Sequence, residues 1–507
     1  MSLSNTSPIM GWSSWNYFRQ NINEQVILET AKALKKSSLA RAGYTYVNLD
    51  DAWQAPFRDA QGDLQFDPIT FPTGTNLIDK IHSLGLKFGL YSSSGPMTCE
   101  DLPASFGNEE RDAQRFADMQ IDFLKYDYCH VVDLTTDEKL LDQVPPLISI
   151  EMLNQGTGQK YKLSFSDLTF SGSASLTTED GLQVLTGLSY DRGKASLSLP
   201  KLKSDEYLLT ITYHKTKSEN RRLLVLKTES QQVNVFFPTT SGWSQTGRVQ
   251  VILSLSSDDQ TLTLFNPIHD RKSDAIWRYG TMHRALKAAT KTHPINFAVC
   301  EHGRNQPWEW APAISNSYRI SRDIQNNWES VVRCYNRLLD MLPFATTGSY
   351  ADPDMLEVGN RVLSATENRA HFTLWSFLSA PLILGNDVRN ATSEEDWMQV
   401  VTNTEVIRVN QTAPFLPAKL LDRGEKIDVL AKYLVTGQVG LCFFNHSDYE
   451  TRLEFDLSTL PEQINGQTFT YTGQSIRPLW KSTDFHQSGK LLQLVLPAHA
   501  VGAFIIN

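Results

Sequence analysis

A lysine, an aspartate and a cysteine crowd into the five residues Lys125–Cys129, KYDYC, at the close of the apolar run MQIDFL. Burying either charge alone is strongly unfavourable, so the end of this segment must open onto something polar. Other apolar segments close in the same way. Trp15 follows MGWSS, the pair Asp50–Asp51 follows YVNL, and Tyr91 lies in KFGLYSSSG. Further on come Cys300 with Glu301, Arg319 with Asp323, and Asp352 with Asp354. One aspartate after a strand is ordinarily a helix cap, adjacent aspartates are often a solvated turn, and a tryptophan is ordinarily core. Recurrence along the chain points instead to a shared polar face. Carboxylates converging with a lysine, an arginine and aromatic rings suit a sugar. The carboxylates accept hydrogen bonds from paired hydroxyls, and a ring face packs on the sugar's C–H patch. Two carboxyls about 5–5.5 Å apart would then permit retaining glycoside hydrolysis.

The elements that must position these residues alternate short apolar strands with amphipathic helices. TYVNLDD reads as a buried strand, NLIDKIHSLG as a helix with a glycine stop, and KFGLYSSSG as the next strand. EERDAQRFADMQ reads as a helix and IDFLKYD as a strand. The rhythm stops near residue 131 and resumes with the helix TMHRALKAATK, the strand INFAVCE and the helices ESVVRCYNRLLDML and TENRAHFTLWSFLSA. Candidate strands lie near 8–11, 45–50, 87–92, 121–127, 296–300, 318–321, 349–355 and 381–386. A βαβα rhythm implies right-handed crossovers and a parallel sheet, and eight such units match the size of a (β/α)8 TIM barrel. Chemistry in that fold collects where the strands end, which is where the polar residues stand. A doubly wound open sheet has the same pattern and is the alternative.

Between the two halves the chain reads as all β, in segments such as KLSFSDLTFSG, YLLTITYHK, RLLVLKTE and RVQVILSLSS. Their spacing suggests a sandwich inserted into the barrel. The expected domains are thus a barrel from 1–131 and 277–411, an inserted β-sandwich from 132–276, and a C-terminal antiparallel β domain from 412–507.

The totals exclude several other roles. The chain has 507 residues, 41% hydrophobic and 20% charged, with a formal net charge of −9. It contains no basic run that would track a phosphate backbone, so nucleic acid is not an expected partner. No apolar stretch approaches the roughly 18–20 residues of a membrane helix. Five cysteines without a CxxC or HExxH pattern argue against zinc, and no GxGxxG or Walker-type loop is present, so no cofactor is expected. The N-terminal residues lack the basic and apolar regions of a leader, which fits a cytoplasmic protein or a secreted one whose leader has been removed.

Taken in order, MGWSSWNYF, NLDDAWQ, KFGLYSSSGPMTC, FLKYDYC, VCEHG, YRISRDI, YADPDMLEVGN and SAPLILGNDVR closely resemble the glycoside hydrolase family 27 α-galactosidases, or melibiases. The resemblance covers the barrel on both sides of the insert and the C-terminal β domain. It implies a (β/α)8 barrel followed by an antiparallel β-sandwich, and retaining hydrolysis of terminal α-D-galactosides in galactose-containing oligosaccharides. On this chain Asp127 would be the nucleophile and Asp323 the acid/base. Asp50 and Asp51 would grip the 4- and 6-hydroxyls, Trp15 would pack on the sugar beside Tyr91, and Lys125 and Arg319 would bind ring hydroxyls. Lys125 would also help to keep Asp127 ionised. Cys300, Glu301, His302 and Asp354 would complete the binding set, and Cys99 and Cys129 match the family's disulfide beside the site.

The chain departs from the family pattern at two positions. His302 replaces the tryptophan that commonly follows the CE pair, in the loop that reads the sugar's 2-position. Arg322 replaces the glycine that commonly precedes the acid/base. Glu301 is retained, which favours a free 2-hydroxyl over an N-acetyl group. α-N-Acetylgalactosaminidase and β-L-arabinopyranosidase activities are the alternatives within the family, and a non-catalytic glycan-binding protein is the alternative of another class. The insert follows the fourth strand, so it is expected to emerge at the active-site face. Its segment around Trp243 is similar in style to sandwich carbohydrate-binding modules, and a role in self-association is an equal reading.

Overall fold

The computed structural model describes residues 7–507 except 132–143, 190, 215–221, 238–245, 291–292, 435–436, 465 and 482, so Trp243 lies outside the described residues. The chain divides into two compact units, one of Met1–His130 with Tyr279–Asn507 and the other of Val131–Arg278.

In the first unit, eight strands form one parallel sheet. They are β1 (Met10–Ser13), β2 (Tyr46–Asn48), β3 (Lys87–Ser93), β4 (Phe123–Asp127), β5 (Asn296–Cys300), β6 (Ser317–Arg319), β7 (Tyr350–Asp352) and β8 (Leu382–Leu384). Their order runs from β7 down to β1 and then to β8. Just past β7, the Leu356 N–H donates to Ile383 O at 2.7 Å, and the Gly385 N–H donates to Leu356 O at 3.0 Å. The two ends of the sheet therefore meet, and the (β/α)8 barrel closes. Closure rules out the doubly wound alternative. The strands are buried almost without interruption, as in β3 and β5, because the sheet is covered on both faces. Inside the barrel, space is tight. A Cβ on Gly89 would stand 2.2 Å from Asn48 Oδ1, so only glycine lets β3 pass the β2 side chain.

Polar caps start the surrounding helices. Asn23 caps Glu24–Lys36 and Asn327 caps Trp328–Met341, each by accepting a backbone N–H, while Ser364 and Glu367 form a capping box on Ala365–Phe377. Helix Arg271–Ala289 begins earlier than its apolar periodicity suggests. The reason is local. Ser273 N donates to Asp270 Oδ1 at 2.7 Å, while His269 N and Asp270 N donate back to Ser273 Oγ at 2.7 and 2.9 Å.

The first unit ends in a β-sandwich. One sheet holds Lys419–Arg423, Ile427–Tyr433, Val439–Asn445, Val501–Ile506 and Ile476–Pro478, and the other holds Thr451–Asp456, Leu491–Leu496 and Phe485–Ser488. Phe443, Leu492 and Phe504 pack its core. It is fastened to the barrel helices, with Tyr335 donating to Asp428 Oδ2 at 2.9 Å and Trp480 Nε1 donating to Thr373 Oγ1 at 3.0 Å.

The second unit is also a two-sheet antiparallel structure. Strand Asp205–His214 alternates buried and partly exposed residues, pairs with Leu147–Asn154 and Thr246–Leu255, and sends Tyr207, Leu209 and Ile211 into a core shared with Leu224 and Leu264 of the other sheet.

Candidate active site

The register between β3 and β4 sets Tyr91 opposite Lys125 and Ser93 opposite Asp127. Lys125 and Asp127 are two apart on one strand and face the same way. At the strand ends their side chains enter a cavity lined also by Trp15, Asp50, Asp51, Tyr91, Cys99, His302, Arg319, Asp323, Asp354 and Met355.

Asp127 is 5% exposed and held at both oxygens. The Tyr91 hydroxyl donates to Oδ2 at 2.9 Å, and the Tyr128 backbone N–H donates to Oδ1 at 2.8 Å. Burial and the Asp127 charge push the Tyr91 phenol well up, so it stays a proton donor. Lys125 makes its closest bond to another carboxylate. Its ammonium pairs with Asp50 Oδ2 at 2.7 Å, and Asp127 takes its hydrogen bonds from Tyr91 and Tyr128 instead. Burial opposes the Lys125 charge, but the adjacent Asp50 carboxylate outweighs it and raises the lysine pKa.

Asp51 sits behind this pair, where its Oδ1 accepts from Ala52 N at 2.7 Å and its Oδ2 from Glu100 N at 3.0 Å. Burial raises its carboxyl to about 6 in spite of those donors. Glu100 belongs to the loop fastened to the end of β4 by the Cys99–Cys129 disulfide, whose Cα atoms are 5.2 Å apart.

On the far side, Arg319 Nη1 donates to Asp323 Oδ1 at 3.0 Å and to Asp354 Oδ2 at 2.7 Å. Asp354 also accepts from the N–H groups of Met355 and Ile324, so it orients Arg319 and the loop that carries Asp323. Asp323 itself stands at the rim with its side chain 58% exposed, and His302 Nε2 lies 3.3 Å from its Oδ1. Desolvation favours its neutral acid, but the hydrogen bond from His302 and the Arg319 charge prevail and hold the carboxyl well below the usual carboxylate range. His302 Nε2 is also 3.8 Å from Asp127 Oδ1. Asp127 Oδ1 and Asp323 Oδ1 are thus no more than about 7 Å apart, which accommodates the roughly 5–5.5 Å of retaining glycosidases and leaves out most of the roughly 6.5–9.5 Å of inverting ones.

Two expected binding residues lie outside the cavity lining. Cys300 is buried behind it, with Sγ 3.9 Å from His302 Nε2. Glu301 is fully buried and turned into its own loop, where Oε2 accepts from Asn305 N at 2.7 Å. Arg322 is exposed beside Asp323 and does not line the cavity. Met355 does line it, and nothing in its apolar side chain marked it in the sequence. Asp127, Cys300 and His302 each bring one ligand-capable atom within 4.8 Å of the others, and Cys99, Asp127 and Cys129 do the same, although those two cysteines are joined to each other.

The family model described as alpha galactosidase A matches residues 7–164 and 268–412, and that of the alpha galactosidase C-terminal beta sandwich domain matches 424–506. An alpha-galactosidase of Oryza sativa is 27% identical over 493 residues, which is 97% of this chain and 82% of the relative. Alpha-galactosidase A of Cellvibrio japonicus is 27% identical, covering 98% of this chain and 90% of its own length. The crystal structure of alpha-galactosidase I from Mortierella vinacea superposes with a TM-score of 0.66 at 25% identity, covering 100% of this chain and 97% of that one. With the barrel on both sides of the insert and the C-terminal sandwich both matched, the chain belongs to the α-galactosidase A, or melibiase, family.

Proposed function

We propose that this chain is a retaining α-galactosidase in which Asp127 is the nucleophile and Asp323 the acid/base. The observation that carries the reading is the pair itself. One carboxylate is buried and fixed by two donors; the other is at the rim, where a leaving group departs, within about 7 Å of the first.

Asp127 attacks the anomeric carbon while Asp323 gives a proton to the glycosidic oxygen. Water then reverses the sequence with Asp323 as base, so the anomeric configuration is kept. The donors on Asp127 orient it. Asp50, paired with Lys125, and Asp51, next to it in the chain, present acceptors to the 4- and 6-hydroxyls that separate galactose from glucose. Half-buried Trp15 offers a ring face, and Arg319 and Lys125 supply donors to ring hydroxyls. The substrate class is terminal α-D-galactosyl groups on oligosaccharides.

Hydrolysis of nitrophenyl α-galactoside, α-N-acetylgalactosaminide and β-L-arabinopyranoside, with the product anomer followed by proton NMR, tests the reading. Release of α-galactose first, with the other two substrates much slower, is expected. Release of β-galactose, or preference for another sugar, overturns it.

A further inference from the structure

The proposed mechanism asks Asp323 to deliver a proton, yet Arg319 and His302 hold it as a carboxylate in the free site. His302 is placed to resolve this. Its Nε2 lies 3.3 Å from Asp323 Oδ1 and 3.8 Å from Asp127 Oδ1. The groups facing it are Asp127 on β4, Cys300 at the end of β5 just before it in the chain, and Asp323 after β6, a carboxyl on which the Arg319 and Lys125 charges also act.

The backbone also commits the ring to this place. His302 has φ +57, in the left-handed region that non-glycine residues seldom adopt. The next residue, Gly303, has φ +72, and a Cβ there would stand 2.2 Å from Ile320 O, so the turn is pressed against the chain just past β6. The side chain is only 14% exposed. A surface histidine would have neither this burial nor two carboxylates in front of one nitrogen.

We propose that His302 and Asp323 work as a single proton-carrying pair, with the imidazolium as the store and the carboxyl as the point of delivery. The inference rests on Asp323 being the acid/base. In the first half-reaction the Nε2 proton passes to Asp323 Oδ1, and the carboxyl proton passes to the glycosidic oxygen. The C–O bond breaks, its electron pair leaves with the aglycone oxygen, and an Asp127 oxygen bonds to the anomeric carbon. His302 is left neutral, with its proton on Nδ1. In the second half-reaction water bonds to that carbon, the bond to Asp127 breaks and returns its electrons to the carboxylate, and the water proton moves to Asp323 and back to Nε2. His302 is a positioning and proton-storing residue that acts through Asp323.

The pH dependence of kcat/KM on melibiose, whose sugar leaving group needs protonation, tests the pair. His302→Asn tolerates the left-handed backbone and removes the titratable ring; His302→Gln is the second variant, and thermal melting checks that each is folded. An imidazole titrates more than about two pH units above a carboxyl, so the basic limb should move down by at least about one unit in either variant. With a dinitrophenyl galactoside, which leaves without protonation, the basic limb should be absent in wild type and variants alike. A folded variant that is slower on melibiose but keeps the wild-type limb overturns the inference and leaves the site's reading intact. A wild-type chain inactive on every α-galactoside overturns both.

Discussion

The Tyr91 hydroxyl donates to Asp127 Oδ2 at 2.9 Å across the ladder between β3 and β4, and its proton is secured because burial and the neighbouring carboxylate both push the phenol pKa up. This bond fixes the direction in which the second oxygen of Asp127 points. Tyr91→Phe should keep the fold and lower kcat by roughly 10–100-fold, since a hydrogen bond to a charged group contributes about 1.5–3 kcal/mol. Steady-state kinetics on nitrophenyl α-galactoside would show it; a change confined to KM would mean that the phenol serves the sugar and not the nucleophile.

The two carboxylates should fail differently. Asp127→Asn should leave the melting temperature near that of wild type and remove essentially all turnover, because no other group can form the glycosyl-enzyme bond. Asp323→Ala should slow sugar and alkyl leaving groups far more than dinitrophenol in the first step. Equal losses across leaving groups would remove the acid role from Asp323.

Asp51 sets binding against stability. Its carboxyl stays protonated up to about 6 in the folded chain but only to its ordinary 3.8 when unfolded. Between those values the folded state binds more protons, so stability falls as pH rises through the window, and the loss is complete above about 6. The stability of Asp51→Asn relative to wild type should therefore rise by about 2–3 kcal/mol between pH ~3.5 and ~7.5, on top of a constant loss from giving up one of the two acceptors that Ala52 N and Glu100 N use. Activity on galactosides should collapse, since the amide puts a donor where an acceptor is required. In wild type, KM should climb as pH drops through about 6. A difference between variant and wild type that does not change with pH would show that the site already compensates for the buried charge.

Much of this arrangement was legible in the sequence, and the exceptions have physical causes. Strands such as β4 and β5 were visible because a sheet buried on both faces leaves apolar runs, and the polar residues at their ends stood out against those runs. Closure was not visible, since it depends on the single residue Leu356, and one bridge has no periodicity. The close pairing of Lys125 with Asp50 was not legible, because the two become neighbours only after β2, β3 and β4 are laid side by side. Glu301 was drawn into the binding set by its motif, but the left-handed turn that follows it directs the carboxylate to Asn305 N. The early start of helix Arg271–Ala289 was readable in Asp270 and Ser273, whose spacing is that of a reciprocal cap.

Lys432 had no signal as a buried charge, because its strand also carries Asp428 and so has no unbroken apolar run for a lysine to interrupt. It is 1% exposed in Ile427–Tyr433, with Nζ donating to Ser379 Oγ at 2.8 Å, and burial lowers its pKa to about 7. Folded, it loses its proton near 7; unfolded, it keeps it to 10.5. In that window the unfolded chain binds more protons, so stability rises with pH, and the full penalty is present below about 7. Lys432→Met should stabilise the chain by about 2–4 kcal/mol at pH ~6, with the difference shrinking as pH approaches ~10. Urea unfolding at several pH values would measure it; a constant difference would mean that the ammonium stays charged in the fold.

The second unit should be dispensable for the chemistry. Its core runs from Val144 to Leu264 and is built from its own two sheets. The barrel strands on either side of it in the chain, β4 and β5, pair directly, with Phe123 opposite Asn296 and Asp127 opposite Cys300. The barrel wall is therefore complete across the point of insertion, and what the insert occupies is a connection between neighbours, where added domains are tolerated. Helix Arg271–Ala289 and its Asp270–Ser273 cap must be spared, so the replacement runs from residue 133 to 268. With a short Gly/Ser linker in that place, the chain should fold and still cleave nitrophenyl α-galactoside at a rate within about threefold of wild type, because the lining residues of the cavity all belong to the first unit. Activity on long galacto-oligosaccharides, or the oligomeric state in solution, should change, depending on whether the insert holds glycan or another copy of the chain. A folded variant that has lost the small substrate as well would show that the insert completes the catalytic pocket.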